Sequence, residues 1–468
     1  MKNCDVKILN NIKYKDIIRW WLTFLLCFIP FEFYVVKNTG LWSSDLSGFI
    51  RRLDLITIII FFPIALIELY KNRRIFNWLY LGLLLPIIFL GISGLLSGIM
   101  NGNSLFVTCY GIFDYIQNFL VIFIFAAFFR EVGELNKIFR LLLIIALFLV
   151  ITAFIQELWA VVSRYILNKD INVRGIYIFQ YLEDDGALKA FWRFGIYRVA
   201  PFMNSPIIFG LYLLLVLTIY LFRTKKLKLP IVLSLLTGSF LSISRIVYLC
   251  ITLLVGIQII KGRKWFVILL IPLVVAILYM SFMPDLNIWK LKDGSSEVAE
   301  YAKYTEDAED FEGAFRLYAR NKAVTIWKDH PFLGVGPGMF GGVVSVKYRS
   351  HVYEEYNFPI NNQYLNRIWG IDQFWFQSLA ETGVIGIAAF VGLFISLIAV
   401  FHNLNQRAES YELKGLFKGL ILCTGIIVIY PFGITLNIPP VLFTYSALAG
   451  IGLGCMNNSD KTRAKLCQ

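Results

Sequence analysis

Charged residues are scarce in this sequence. They make up only 16% of the 468 residues, whereas 58% are hydrophobic. A water-soluble domain of this size needs more charged surface to stay dispersed, so the composition favours an integral membrane protein. Acidic residues are the scarcer kind, which leaves a net charge of +13. The basic residues are spread between long apolar runs, so this charge does not indicate nucleic-acid binding.

Cysteine is sparse where a disulfide framework would need it. None of the seven cysteines lies in the long hydrophilic stretch at 284–373, and no pair has metal-ligand spacing. We therefore expect free thiols, with neither a disulfide framework nor a metal site. The N-terminus also lacks a short apolar core followed by a small-residue cleavage site, so its first apolar run is interpreted as a retained signal-anchor helix.

The sequence is rich in apolar runs long enough to cross a bilayer. About 20 apolar residues span roughly 30 Å of hydrocarbon. We predict about twelve such helices, of which those at 229–243 and 246–260 are short. The chain is therefore expected to be an all-α polytopic membrane protein. The predicted spans are 17–36, 53–70, 75–100, 105–129, 141–160, 200–222, 229–243, 246–260, 265–283, 374–401, 416–431 and 438–456.

The placement of lysine and arginine predicts the orientation. Every segment on the side of the two termini carries at least three basic residues, whereas the shortest turns on the other side carry none. By the positive-inside rule, both termini lie in the cytoplasm. Two long loops, 161–199 and 284–373, then lie outside, and the larger is expected to form a small helical cap. The chain is thus divided into 1–283 with about nine spans, the loop 284–373, and 374–468 with about three spans and a cytoplasmic tail.

Charged side chains cluster where the predicted spans reach the outer face. Such charges are costly near hydrocarbon, so each needs a partner or a ligand. Few carboxylates among several guanidiniums suggest an anionic ligand, and phosphate matches the guanidinium fork. The alternative is that arginines at helix ends bind lipid head groups or cap the helices. The cluster comprises Arg51, Arg52, Asp54, Arg193, Arg198, Arg245, Arg316, Arg320 and Asp372.

Four sequence blocks between about 198 and 386 follow a specific order. They resemble the O-antigen ligase/polymerase family of bacterial membrane glycosyltransferases, and the helix number and large outer loop agree with that resemblance. The blocks are Arg198 with Pro206, Phe209 and Gly210; Ser244-Arg245; Arg316 followed by Asp329-His330-Pro331-Phe332-Leu333-Gly334-Val335-Gly336; and Asp372 ahead of Leu379-Ala380-Glu381-Thr382-Gly383.

The resemblance implies a GT-C-like fold in the bacterial cytoplasmic membrane. Its substrates would be glycans linked to polyprenyl diphosphate, as both donor and acceptor, with membrane lipids and a chain-length regulator as further partners and no cofactor. By match of motif, Arg245 and Arg316 would hold the donor's diphosphate. Family ligases carry histidine at the place of Asp372, and this departure favours a polymerase of a surface polysaccharide.

Elementary chemistry supports roles for these residues. Displacement at donor C1 develops negative charge on the departing diphosphate, which preorganised guanidiniums stabilise without a metal. Asp372 would deprotonate the acceptor hydroxyl, unless it forms an ion pair with a loop arginine such as Arg367. Direct attack predicts inversion at C1. The predicted catalytic residues are Asp372, Arg316 and Arg245.

Five further residues are candidates for substrate binding. Arg320 has the alternative of pairing with the acidic run at 304–313, and Asp114 that of a buried hydrogen-bonded pair. Glu381 is expected to brace the re-entering helix, and His330 and His351 to be structural. The five candidates are Arg198, Arg320, Arg51, Arg52 and Asp114.

Two other activities fit the same features. A ligase would move finished glycan to another acceptor, and a transporter or flippase would move the lipid-linked sugar itself. Transporters tend to have inverted repeats around a midplane site, whereas here the ionisable residues other than Asp114 lie at the predicted outer face. A channel is disfavoured because no polar stripe lines a pore.

Overall fold

The protein is almost entirely helical in the part that the structure describes. A computed structural model describes residues 2–40, 43–75, 77–162, 192–193, 196–262, 308–358, 371 and 373–466. The strands within these ranges are β1 (Trp192–Arg193) and β2 (Ile196–Tyr197), which pair antiparallel with Arg193 opposite Ile196. The all-α class predicted from the sequence is confirmed.

Seven helices form the N-terminal part of the bundle. A 3-10 turn at Ile29–Phe31 with a proline in its first turn joins the first two helices, which together provide the first span, Tyr14–Gly40. The helices are α1 (Lys2–Phe28), α2 (Glu32–Gly40), α3 (Ser44–Ile50), α4 (Leu53–Lys71), α5 (Trp78–Met100), α6 (Leu105–Phe128) and α7 (Val132–Val161).

Nine further helices follow in the described residues. Polar side chains cap several helix starts: Ser205 accepts a hydrogen bond from the Ile207 amide, and Ser410 accepts one from the Leu413 amide. The helices are α8 (Pro206–Arg223), α9 (Leu229–Leu241), α10 (Arg245–Ile260), α11 (Ala308–Asp329), α12 (Val343–Lys347), α13 (Val352–Glu355), α14 (Phe374–Arg407), α15 (Tyr411–Ile429) and α16 (Pro439–Leu466).

Nine helical segments among the described residues are long and apolar enough to cross a membrane. Each coincides with one of the predicted spans. The predicted helices at 229–243 and 246–260 exist as α9 and α10, but they have only 13 and 16 residues. At 1.5 Å per residue they extend about 20 and 24 Å, short of the roughly 30 Å of hydrocarbon. The predicted span 265–283, most of the loop 161–199 and the side chains of the acidic run 304–313 lie outside the described residues.

The buried side chains form one large core in the bundle and a smaller one beside it. Helices α6, α8 and α16 are the most enclosed spans. In their apolar 18-residue stretches, 72%, 89% and 89% of the residues are buried. Gly450 and Gly454 of α16 lie against the backbone of α6, where a Cβ atom would collide with it. Small residues permit such close helix packing in membranes.

The described part of the large loop is a folded helical unit, which we call the cap (residues 308–358). Its core packs α11 against the loop that follows, through Ala319, Ala323, Ile326, Phe340 and Tyr353. The cap rests on α5, α6 and the start of α14, as the contacts below show. The helical form predicted for this loop is therefore confirmed over these residues.

The charge distribution predicts which side of the membrane the cap occupies. Alkaline phosphatase fused after Lys347 should be active, because this enzyme matures only outside the cytoplasm. Green fluorescent protein fused after Leu466 should fluoresce, because it matures inside. A fusion after Lys226, in another basic loop, serves as a second cytoplasmic reference. The reverse pattern of activities would show that the basic segments do not set the orientation.

Candidate functional site

The L-A-E-T-G block lies on a helix that is interrupted at its glycine. Gly383 of α14 has φ 59° and ψ −163°, a conformation that is essentially restricted to glycine. The interruption deprives backbone groups on both sides of their helical partners. On one side the glycine-rich turn of the cap replaces them. The Val335 amide donates to the Ala380 carbonyl at 3.0 Å, and the Gly336 amide donates to the Glu381 carbonyl at 2.9 Å.

The same turn also satisfies the other side of the interruption. The Val384 amide donates to the Pro331 carbonyl at 3.0 Å, and the Ile385 amide donates to the Phe332 carbonyl at 3.1 Å. The two glycine-containing motifs, distant in sequence, thus form one hydrogen-bonded unit. This unit fixes the cap to the beginning of α14.

Glu381 connects this unit to α6. Its side chain is only 1% exposed. One carboxylate oxygen accepts a hydrogen bond from the Phe340 amide at 2.8 Å, and the other accepts one from the Tyr115 hydroxyl. Gln377 in turn donates to the Tyr115 hydroxyl at 3.4 Å. Because both carboxylate oxygens are engaged, these contacts agree with the bracing role predicted for Glu381.

Polar side chains of α5 and its following loop hold the turn from the opposite direction. Ser97 and Asn101 both donate to the Gly334 carbonyl, at 3.1 and 3.0 Å. Asn103 donates to the Val335 carbonyl at 2.7 Å. Gly334 itself has φ +68°, and a Cβ atom there would collide with the α14 backbone. The turn is therefore clamped between α5 and α14.

A buried tyrosine supports the end of the same turn. The Tyr353 hydroxyl accepts a hydrogen bond from the Gly341 amide at 2.9 Å and lies 2.7 Å from Ser345 Oγ. Burial raises the pKa of Tyr353, so the hydroxyl stays protonated and can donate as well as accept. The cap is thus internally rigid where it meets the membrane helices.

The first two arginine blocks meet at the turn between α9 and α10. Arg198 Nε donates to the Ser242 carbonyl at 3.4 Å, three residues before Arg245. Gly210, at the start of α8, leaves room for the Ser242 side chain, with which a Cβ atom would collide. The turn residue Ile243 adopts a positive φ of 43°. The Arg198 guanidinium is half-buried, and Arg245 is exposed.

The shortness of α9 and α10 fixes the depth of this turn. Measured from the basic residues at the other ends of the two helices, the turn lies about 20–24 Å away, roughly two thirds to four fifths of the hydrocarbon thickness. With the two helices upright and Lys228 and Lys261 at the opposite membrane surface, Arg245 would lie below the surface on the cap side. An arginine at such a depth requires a polar cavity or an anionic partner.

The helix of the cap that carries Arg316 and Arg320 packs along the start of α14. The Arg320 guanidinium lies 5.7 Å from the centre of the Phe376 ring, in the range of a cation–π contact. Phe376 follows Asp372 by four residues, and Arg316 precedes Arg320 by one helical turn. Asp372, Arg367 and the side chain of Arg316 lie outside the described residues.

The recessed turn and the start of α14 contact the same segment, the turn after α15. The Ile246 side chain lies on Gly433, where a Cβ atom would strike it. The Trp375 and Phe432 rings are 6.1 Å apart. The sequence neighbours of Arg245 and of Asp372 therefore lie against the same short turn.

Asp114 belongs to a network of amide side chains. Asn437 Nδ2 donates to Asp114 Oδ1 at 2.8 Å, and Gln117 Nε2 donates to the same atom at 3.2 Å. Asn118 donates to the Oδ1 atom of Asn437. Asn118, one turn after Asp114, could have been found as a polar position in an apolar helix. Asn437 offers no sequence signal, because its partner is far away in the chain.

Arg51 and Arg52 lie at the start of α4, and both are exposed. Arg51 interacts electrostatically with Glu32, and Arg52 with Tyr110. Tyr110 also interacts with Asp114, one turn along α6. The structure thus brings the predicted residues Arg52 and Asp114 close to the same tyrosine.

The fold and site define a class: a multi-pass helical membrane protein whose cap is locked to a broken transmembrane helix. The family model described as O-antigen ligase matches residues 207–391. The match begins after Arg198 and includes Arg245, Arg316 and Asp372. No curated protein matches the chain.

Residues 207–391 match the model of this family, and the resemblance inferred from the four blocks is thereby confirmed. Members of this family are glycosyltransferase-like membrane enzymes that process lipid-linked polysaccharides. The matched range ends just beyond the interruption of α14, so it contains both of the glycine-containing motifs that form the hydrogen-bonded unit.

Replacing Gly383 with alanine should destabilise the protein. The backbone conformation alone costs a non-glycine residue about 1–3 kcal/mol, and the new Cβ would also collide with the Phe332 carbonyl. The expected result is a lower unfolding temperature in detergent. Gly392→Ala, on the same helix with open space around it, is the matched control and should be neutral or slightly stabilising. Equal behaviour of the two variants would contradict the docking of the turn at this interruption.

Proposed function

We propose that the protein polymerises oligosaccharide repeat units carried on polyprenyl diphosphate, at the outer face of the bacterial cytoplasmic membrane. The observation that carries the proposal is the convergence of the family's motif blocks. The Arg198–Arg245 turn and the first turn of α14 contact one segment, and the cap helix with Arg320 packs on that same first turn. Aspartate in place of the ligases' histidine favours polymerisation over ligation.

In this proposal, guanidiniums hold the donor's diphosphate. Arg245 and Arg316 bind its oxygens, assisted by Arg198 and Arg320, and stabilise the charge that develops as the glycosidic bond breaks. The accessible side chains of Arg245 and Arg320 suit this role. The depth of Arg245 supports it further, because a guanidinium acts more strongly on an anion where water is partly excluded.

The acceptor is a sugar hydroxyl of another lipid-linked repeat unit. Asp372 takes its proton as the oxygen attacks donor C1, while the C1–O bond to the diphosphate breaks, so the configuration at C1 inverts. Asp114, Arg51 and Arg52 belong to the substrate-binding surface. The electrostatic contacts that join Arg52 and Asp114 through Tyr110 support one continuous surface.

Exchanging Asp372 for asparagine should abolish chain growth. Loss of a general base typically lowers the rate by about 100- to 10,000-fold. The measurement is polymer length on a gel after purified protein is mixed with lipid-linked repeat units from the host strain. Asp45→Asn, at an exposed position on α3, makes the same chemical change elsewhere and should leave chain growth intact. Undiminished growth with Asp372→Asn would remove the base assignment.

The same assay separates the three candidate activities. Lengthening with lipid-linked repeats alone means polymerisation. Product that forms only after a different acceptor is added means ligation. Movement of labelled lipid across a vesicle membrane without a new glycosidic bond means transport.

A further inference from the structure

The hydrogen bonds of the amide network around Asp114 run in one direction, from the amides toward the carboxylate. Asn118 donates to Asn437, and both Asn437 and Gln117 donate to Asp114 Oδ1. Each amide is therefore oriented with its donor toward the carboxylate. Within the described residues, Asp114 Oδ2 accepts no hydrogen bond. An ionised carboxylate only accepts, so this oxygen is available to a ligand that donates.

Burial shows that this network is built into the bundle. Asn118 is only 2% exposed and Gln117 9% exposed, whereas Asp114 and Asn437 are half-buried. A carboxylate inside a transmembrane helix is costly unless it borders a polar cavity. The Oδ1 atom of Asn118 is also buried without a hydrogen-bond partner in the described structure. The network thus has unused acceptor capacity, which native proteins normally fill with a ligand or water.

We propose that Asp114, oriented by Asn437 and Asn118, binds hydroxyl groups of the acceptor sugar. The inference rests on the proposed function and specifies which substrate this part of the site takes. Sugar hydroxyls donate hydrogen bonds, whereas a diphosphate has only acceptors to offer. Asp54 also interacts electrostatically with Asp114.

One short loop links the network to the arginine-bearing turn. Asn437 lies four residues beyond Gly433, which contacts Ile246 beside Arg245. Tyr110, one turn before Asp114 on α6, is half-buried and offers an aromatic ring on the same face. Acceptor and donor would therefore occupy neighbouring surfaces.

The test separates the two substrates chemically. The donor is a lipid-linked repeat unit whose non-reducing end is blocked, so it cannot accept. The acceptor is the repeat unit as an alkyl glycoside, which has no diphosphate and cannot donate. Asp114→Asn should raise the KM for the acceptor at least tenfold and leave the KM for the donor within twofold. Asn437→Ala should act in the same direction.

A double variant in which the carboxylate and the amide change places distinguishes binding from a structural role. Asp114→Asn combined with Asn437→Asp keeps a carboxylate–amide hydrogen bond but moves the carboxylate. We expect it to restore the unfolding temperature and to leave the acceptor KM raised. Restoration of the acceptor KM, or equal changes in the two KM values of Asp114→Asn, would overturn the inference. If the unaltered protein transfers no glycan between these substrates, the proposed function itself fails.

Discussion

Backbone hydrogen bonding in a low-dielectric environment is the constraint on which this structure depends. Hydrocarbon offers no partners for free amides and carbonyls, so a transmembrane helix can be interrupted only where other protein groups replace its lost bonds. The interruption at Gly383 meets this condition through backbone hydrogen bonds from the cap turn. The cap and α14 therefore stabilise each other.

This mutual dependence fixes the position of the arginine-bearing helix that the proposed reaction uses. The turn is clamped by α5 on one side and α14 on the other, and Glu381 ties it to α6. The cap helix that carries Arg316 and Arg320 is consequently held along the first turn of α14. In the sequence, Asp372 comes two residues before that turn. In the proposed reaction, charges held in this way would need little reorganisation when the leaving group becomes negative, which is the physical basis of electrostatic catalysis.

Much of the fold was predictable, because hydrophobicity dominates in membrane helices. All nine membrane-spanning segments of the described residues coincide with predicted spans, and the bracing role of Glu381 agrees with its contacts. The shortness of α9 and α10, and with it the depth of the turn between them, could be read from the sequence. The contact of that turn with the turn after α15 could not. Asn437 was missed because its pairing with Asp114 joins residues 323 positions apart, and no local pattern encodes such a contact.

The distribution of charge across the site follows from the two kinds of group that the proposed reaction brings together. A diphosphate requires cations, and these lie at the recessed turn and on the cap helix. A hydroxyl that is to be deprotonated requires acceptors, and Asp114 with its amides offers them. The two kinds of charge also meet, because Arg52 and Asp114 interact with the same tyrosine. An ion pair formed there would compete with both substrates. The amides that hold the Asp114 carboxylate keep it available, at the cost of burying a charge that they must stabilise.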